Sequence, residues 1–431
     1  MIAAMSAHTI HNLADAIWVS GKGPESLSAV GFTFPFFFLA LSLANGIGIG
    51  GGSAISRKIG ADDKEGADNI AVHTIIIMAI IAAITTVTML LLARTVLQFM
   101  GATGTALDLS VSYANIIFSG IVFTFFMQVA VSILRSEGDA KKAMYIMGGG
   151  AVLNIILDPI FIYSLDMGVA GAALATILSL FLTSVVAFYW LFIEKKTYVS
   201  FNFKSFHFDK TALVDIGRVG FPASISQMSM SLMAFILTII VASVGGPNGV
   251  AVYTTGWRVI GLAVFPMLGV ASAVTSVTGA AFGAQNYEKI KITYFYALKA
   301  GVVVEGILAV VIFIFASHIT WIFTWSAESK QIIGDLEVFL RTVWLLLPTV
   351  PVGMISSGMF QGVGKGVNSL ILTLIRTIVF TVPFAWFLGI YLDWGLPGIW
   401  IGTVAAGLAY MPIAYGWANL YIKKMIKQTK L

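Results

Sequence analysis

Residues 153–176 read LNIILDPIFIYSLDMGVAGAALAT, two apolar runs joined by a short polar break. The first run carries one acid, Asp158, followed at once by Pro159. The break falls at Asp166 to Gly168, and the second run opens on small residues and carries Thr176. Runs this apolar and this long read as membrane-crossing helices rather than as soluble core. They also lack the period-two alternation of a membrane β-barrel.

Working outward, such runs recur along the whole chain. Of 431 residues, 58% are hydrophobic and 10% charged, with a mean hydropathy of +0.93. Soluble domains carry about 25% charged residues, so this chain's solvent is largely lipid. The spans are predicted at 1–20, 30–56, 69–97, 108–133, 142–164, 167–194, 211–243, 250–281, 288–317, 331–361, 366–391 and 395–422.

Basic residues gather after every second span. Arg57, Lys58 and Lys64 follow the second, Arg135, Lys141 and Lys142 the fourth, Lys195, Lys196, Lys204 and Lys210 the sixth. Lys289 and Lys291 follow the eighth, Lys365 the tenth, and Lys423, Lys424, Lys427 and Lys430 the twelfth. The positive-inside rule puts these loops, and both termini, in the cytoplasm. The net charge of +5 is therefore a topology signal, and no nucleic-acid partner is expected.

The longest polar stretch, KKTYVSFNFKSFHFDK at 195–210, divides the chain into 1–194 and 211–431. An offset of 223 residues pairs Gly46 with Gly269, Ser53 with Ser276, Gly60-Ala61 with Gly283-Ala284 and Glu65 with Glu288. An offset of 226 to 227 then pairs Gly138 with Gly364, Asp166 with Asp393, Gly168 with Gly395, Gly171 with Gly398 and Thr176 with Thr403. Two six-span halves entering the membrane in the same sense make a parallel repeat. The expected fold is an all-α integral membrane protein of twelve helices in two pseudo-symmetric six-helix lobes, with 195–210 as a cytoplasmic linker. The seventh span begins well before the residue that pairs with Met1. The repeat therefore predicts some ~20–30 further residues ahead of Met1, a figure set by helix length.

An ionisable residue inside a span costs roughly 2.5–3.5 kcal/mol on insertion scales and is a functional candidate by default. The first half has two, Asp15 and Asp158. At about 1.5 Å per residue, Asp15, Asp158 and Thr176 fall at a similar level of the outer half of one lobe. Asn154 shares a helix face with Asp158, and Pro159 leaves a backbone carbonyl near them without its donor. Two like charges in an apolar bundle need a counter-ion or a proton. Asp15, Asn154, Asp158 and Thr176 are thus candidates for either H⁺ or Na⁺. His11 shares a face with Asp15, and His8 precedes it.

The second half differs. Thr238 stands where Asp15 stands, and Arg258 and Glu305 lie at roughly matching depth, as a buried ion pair, a second titrating site or a cavity-lining pair. Trp18, Tyr113, Gln128 and Met228, with Met230, Met233 and Phe235, are further candidates for an adaptable substrate cavity.

Several functions are excluded. Without cysteine there are no disulfides or thiolate sites. There is no GxxxxGK[ST] loop, no HExxH and no GxSxG elbow, and no cluster of catalytic acids at one membrane surface, so no enzyme is expected. The alternative that stays open is a lipid or lipid-linked saccharide flippase of the same architecture, whose cavity should be rich in cationic residues; the spans of the first half hold almost none, apart from Arg94 near an end.

Three stretches resemble the multidrug and toxic compound extrusion (MATE) family: NLADAIWVSGKGPESLSAVG (Asn12 to Gly31), LRSEGDAKKAM (Leu134 to Met144) and the opening stretch, Leu153 to Thr176. The resemblance covers essentially the whole chain. The last stretch is similar to the archaeal and DinF-type branch, in which an aspartate of the first span acts with an asparagine, an aspartate and a threonine of the fifth and sixth. Those positions here are Asp15, Asn154, Asp158 and Thr176. His8 and His11 depart from the glutamine and tyrosine of that pattern. The resemblance implies antiport of amphiphilic, often cationic compounds against H⁺ or Na⁺, by a monomer with no cofactor in the cell membrane.

Overall fold

The computed structural model describes residues 18–19, 21–22, 24–194, 197–201, 206–324 and 329–428. Asp15, His8 and His11 lie outside them. Every regular element is helical: α1 Pro24–Gly60, α2 Lys64–Phe99, α3 Gly104–Ser119, α4 Ile121–Ser136, α5 Ala140–Pro159, α6 Gly168–Phe188 and α7 Lys210–Gly283. After these come α8 Tyr287–Phe323, α9 Ile333–Val343, α10 Val350–Gly362, α11 Gly366–Leu374, α12 Val382–Trp386 and α13 Gly395–Gln428. Short π-helical turns extend α5 (Ile160–Ser164) and α6 (Tyr189–Ile193) and flank α12 (Ile375–Thr381 and Phe387–Tyr391). A 3₁₀ segment, Trp344–Thr349, joins α9 to α10. Among the described residues nine helices are long and apolar enough to cross a membrane, or ten when α3 and α4 count as one bent span.

One expectation changes. The single span expected at 108–133 is two helices bent by 46°. Gly120 sits at the bend, where a Cβ would meet the Ile177 side chain at 2.4 Å. The Thr86 hydroxyl donates to the carbonyl of Phe118 (3.1 Å), satisfying an acceptor released there. The break expected at 243–250 falls at Gly246 (φ 57°, ψ −153°), the one non-helical residue of α7, where two helices meet at a kink.

The chain divides into two compact units, Met1–Ser224 and Ile225–Leu431. The first unit takes in the opening turns of α7 because α1 lies directly on them. A Cβ on Gly46 would meet Gly220 O at 2.6 Å, and Arg57 Nη2 donates to Asp215 Oδ1 at 2.8 Å. Small residues at a crossing let two membrane helices touch backbone to backbone. Within this unit α1 packs on α2, α3 and α4, and α5 pairs with α6. Its core holds Ile55, Phe118, Phe125 and Leu134. In the second unit α8 packs along the 3₁₀ segment, and α13 along α12 and its π turns. Phe339, Leu340 and Trp400 fill one core and Tyr294, Met359 and Phe360 another.

The local backbone recurs at the offsets read from sequence. Asp62 and Gln285 are both left-handed (φ 58° and 54°), as are Gly138 and Gly364 (90° and 75°) and Asp166 and Asp393 (50° and 54°). Asp63 and Asn286 each cap the following helix by accepting an amide three residues on. A Cβ on Gly171 would lie 2.6 Å from Phe161 O, and one on Gly398 2.5 Å from Leu388 O. At both positions the start of a helix rests on the backbone of the preceding π turn, with no room for a side chain. Gly171→Ala and Gly398→Ala should each destabilise by about 1–3 kcal/mol, the usual cost of overpacking. Gly148→Ala, with nothing within 4 Å, serves as the control. Thermal melting in detergent measures the difference, and equal melting of all three variants would refute the contact.

The described part of the 195–210 stretch lies within the first unit and is anchored to its helices. Ser200 N donates to Asp68 Oδ1 (2.7 Å), and Asp209 N donates to His73 Nε2 (3.1 Å). The His73 ring is buried and bonds Asn69 O through Nδ1 (2.9 Å), so it carries its proton there. Glu137, in the turn after α4, accepts from Val199 N (2.9 Å) and Tyr198 N (3.1 Å). Burial outweighs those bonds and pushes this carboxyl from its ordinary 4.5 up to about 7. The folded chain therefore holds the Glu137 proton more tightly than the unfolded chain. Its contribution to stability is complete below about pH 4.5 and is lost as the pH rises to about 7. Melting temperature against pH should fall less steeply across that window in Glu137→Gln than in the wild-type protein; identical slopes would contradict the assignment.

Candidate functional site

Pro159 has no N–H for the carbonyl of Ile155, and the helix does not continue in α geometry past it. The chain takes one π turn over Ile160–Ser164 and stops at the left-handed Asp166. The interruption at Pro159 is thus a π turn, a form that often marks functional sites. Gly171 then lets α6 rest on that turn. This contact sets Thr176, one further turn along α6, beside α5.

The result is a small polar cluster inside the first unit. Asn154 Nδ2 donates to Thr176 Oγ1 (3.3 Å), and Thr176 Oγ1 donates to Ala172 O (3.0 Å). Asp158, one turn after Asn154, is wholly buried, and Asn154 is nearly so. The Thr176 hydroxyl proton is already committed, and Asn154 Oδ1 accepts no hydrogen bond among the described residues. The cluster therefore offers the Asn154 amide oxygen and the second Thr176 lone pair, with the buried Asp158 carboxyl one turn along α5. Such a donor set suits a hard monovalent cation or a proton, and offers little to an anion. Of the four residues expected at this site, the structure brings together Asn154, Asp158 and Thr176. Asp15 lies outside the described residues.

Two aromatic candidates border the cluster. Trp18 and Tyr113 pack with Ile117, Ile162, Val169 and Ala172 in one core. The Tyr163 hydroxyl donates to the Trp18 carbonyl (2.5 Å), with the two rings edge to face at 6.1 Å. Lys22 Nζ bonds Asp166 Oδ1 at 2.6 Å and lies 5.5 Å from the Tyr163 ring centre. That ion pair holds the exposed Asp166 carboxyl below its usual range. Tyr163 and Lys22 thus tie the end of the N-terminal segment to the loop that follows Asp158. Neither was singled out from sequence, because each looks like an ordinary interfacial residue until its partner is known.

The other candidates do not join this cluster. Gln128 sits on the part of α4 whose backbone touches Gly48. In the second unit Met228, Met230, Phe235 and Arg258 are exposed, while Met233 packs on the core. Glu305 is wholly buried. The ion pair expected between Arg258 and Glu305 does not form: one side chain is exposed on α7 and the other is sealed inside α8's packed face. Arg341 instead pairs with Glu337 at 2.9 Å.

Known proteins with this sequence pattern and fold can now be set beside that geometry. A family model described as MatE matches residues 1–160 and 222–387. The chain is 26% identical over 409 residues to the probable multidrug resistance protein YoeA of Bacillus subtilis (strain 168), covering 93% of this chain and 87% of YoeA. It superposes with a TM-score of 0.98 on the crystal structure of MATE in complex with MaL6, at 46% identity, covering 99% of this chain and 95% of that one. The TM-score is 0.97, again at 46% identity with 99% and 94% covered, on an outward-facing multidrug resistance MATE family transporter of the MOP superfamily. A model match over most of the sequence, with near-complete superposition at this identity, makes the chain a polytopic membrane transporter, not an enzyme, that belongs to the MatE family.

Proposed function

We propose that this chain exports amphiphilic, often cationic compounds in exchange for H⁺ or Na⁺, with the coupling ion taken at Asp158, Asn154 and Thr176 together with Asp15. The carrying observation is the buried set of oxygen acceptors beside the π turn, with the Thr176 hydroxyl already spent and Asn154 Oδ1 unpartnered among the described residues. YoeA supports the substrate class through its description as a multidrug resistance protein. The retained Asn154, Asp158 and Thr176 favour the archaeal and DinF-type branch.

The organisation proposed with this function is twelve spans in two lobes, 1–194 and 211–431, joined by 195–210, with both termini cytoplasmic and the chain monomeric. Two lengths support the count. At about 1.5 Å per residue, the 74 residues of α7 are more than three times as long as a bilayer's ≈ 30 Å apolar core is thick. They suit two crossings meeting near Gly246, and the bent α3–α4 pair suits one.

The cycle follows from the charge of the site. A proton or Na⁺ taken up there offsets the carboxylate charge, and the acceptors on α5 and α6 draw inward around it. Trp18, tied to Tyr163 and thus to the same loop, moves with them. The equilibrium between access states shifts only as far as the cation binds one of them better than the other.

Proteoliposomes loaded with a fluorescent organic cation, under separately imposed Na⁺ and pH gradients, test the assignment. Wild type should show efflux driven by at least one of the gradients. Asp158→Asn should cut that driven rate by tenfold or more, while counterflow of the dye without a gradient persists. Undiminished coupling in Asp158→Asn would sink the site, and the response to each gradient separately identifies the ion.

A further inference from the structure

The second unit contains a carboxylic acid that the site around Asp158 does not use. Glu305 lies near the middle of α8 with no exposed surface, and neither carboxyl oxygen has a hydrogen-bond partner among the described residues. It belongs to the packed face Gly301, Glu305, Ala309, Ile312 and Ala316. An ionised carboxylate in such a place is costly, and residues of this kind inside membranes mark ion or proton sites.

What Glu305 faces follows from the pairing of α8 with the α9–α10 span. Tyr294 Oη lies 3.0 Å from Ser356 Oγ. A Cβ on Gly301 would touch Pro351 at 3.0 Å, Phe313 lies against Trp344 with ring centres 4.9 Å apart, and Ser317 donates to Glu337 (2.8 Å). This antiparallel register brings Glu305 level with Pro348, inside the 3₁₀ segment Trp344–Thr349. A 3₁₀ stretch within a span is a weak point, and proline makes it weaker by withholding a donor.

The first unit has the same break without the acid. At the offset of 223, Glu305 pairs with the buried Ala82 and Ala309 with Thr86. At the offset of 226, Trp344 pairs with Phe118, whose carbonyl accepts from Thr86 at the α3–α4 bend. One unit thus answers its broken span with a neutral hydroxyl, and the other places an ionisable group there.

We propose that Glu305 is a second proton-exchange site, in which loss of the proton reshapes the 344–349 break. In the arrangement described here the carboxyl is protonated and packed. When it gives its proton to water, the carboxylate must find donors, and backbone N–H groups or water at the break are the nearest source. The step is thereby coupled to the angle between α9 and α10. Among the described residues, no other charge on the elements packed against α8 competes for it. Glu337 and Arg341 on α9 pair with each other, Asp335 is exposed, and the 344–349 segment and α10 carry no ionisable group. On α13 Tyr410 packs at Gly353 and the lysines sit near the C-terminal end. On α7 Tyr253 stacks with Trp400 and Arg258 is exposed, and on α8 itself Lys299 and His318 are exposed.

Infrared difference spectroscopy of the full chain in nanodiscs, across a pH series, reads this group directly. A carboxylic C=O band should titrate in the wild type and in Asp158→Asn, and be missing from Glu305→Gln. The Trp344 fluorescence, taken as the part of the tryptophan emission lost in Trp344→Phe, should follow the same titration and become independent of pH in Glu305→Gln. The double variant Glu305→Ala/Ala309→Thr, which copies the neutral arrangement of the first unit, should fold and also lose the response. The proposal is overturned if Glu305→Gln retains the titrating band, if no band titrates, or if either variant leaves the Trp344 response unchanged. A result in which Asp158→Asn loses coupling but keeps the Glu305 band separates failure of one site from failure of the other.

Discussion

Lipid offers no hydrogen bonds, so every backbone group inside the membrane must be satisfied by the protein itself. Unbroken helices meet that demand without help. A helix that must also present a polar site has to break somewhere, and the released carbonyls and amides then need partners from neighbouring helices. Three interruptions in this chain follow that rule. The π turn at 160–164 closes by bonds such as Leu165 N to Ile160 O. The bend at Gly120 is met by Thr86, and the 3₁₀ segment at 344–349 is packed beneath α8. In each unit the chemistry lies at interruptions and the uninterrupted helices supply the frame.

Much of this frame was legible in the sequence because its causes are local. Apolar length gives the spans, and glycines that must touch backbone or turn left-handed cannot be replaced without strain, so they keep their register across the repeat. Gly171 with Gly398 and Gly138 with Gly364 are readable for that reason. The cluster of Asn154, Asp158 and Thr176 was legible for another: an acid in an apolar run stands out, and helical spacing fixes what shares its face.

The rest depended on geometry that no local pattern encodes. Proline announces an interruption but does not select its form, and only the packing of Gly171 on Phe161 O makes a π turn the solution at Pro159. Arg258 and Glu305 sit at matching depth, yet depth says nothing about rotation around a helix axis, and the two face different surroundings. Ties such as Tyr163 to Trp18 join residues 145 apart, and neither residue type signals such a role by itself.

The glycine contacts bear on how the chain assembles. Gly171 meets Phe161 and Gly398 meets Leu388, each across ten residues of sequence, so closing those loops costs little entropy. The α5–α6 hairpin can lock while the rest of the chain is still being synthesised, and Asn154 meets Thr176 within it. The Lys22–Asp166 tie closes over 144 residues and the Arg57–Asp215 bridge over 158. Contacts of that order form late. During biogenesis the oxygens of Asn154 and Thr176 would therefore be in place before Trp18 and Lys22 are tied to the neighbouring turn, and the cluster would pass through a stage when it is built but not yet bordered on that side.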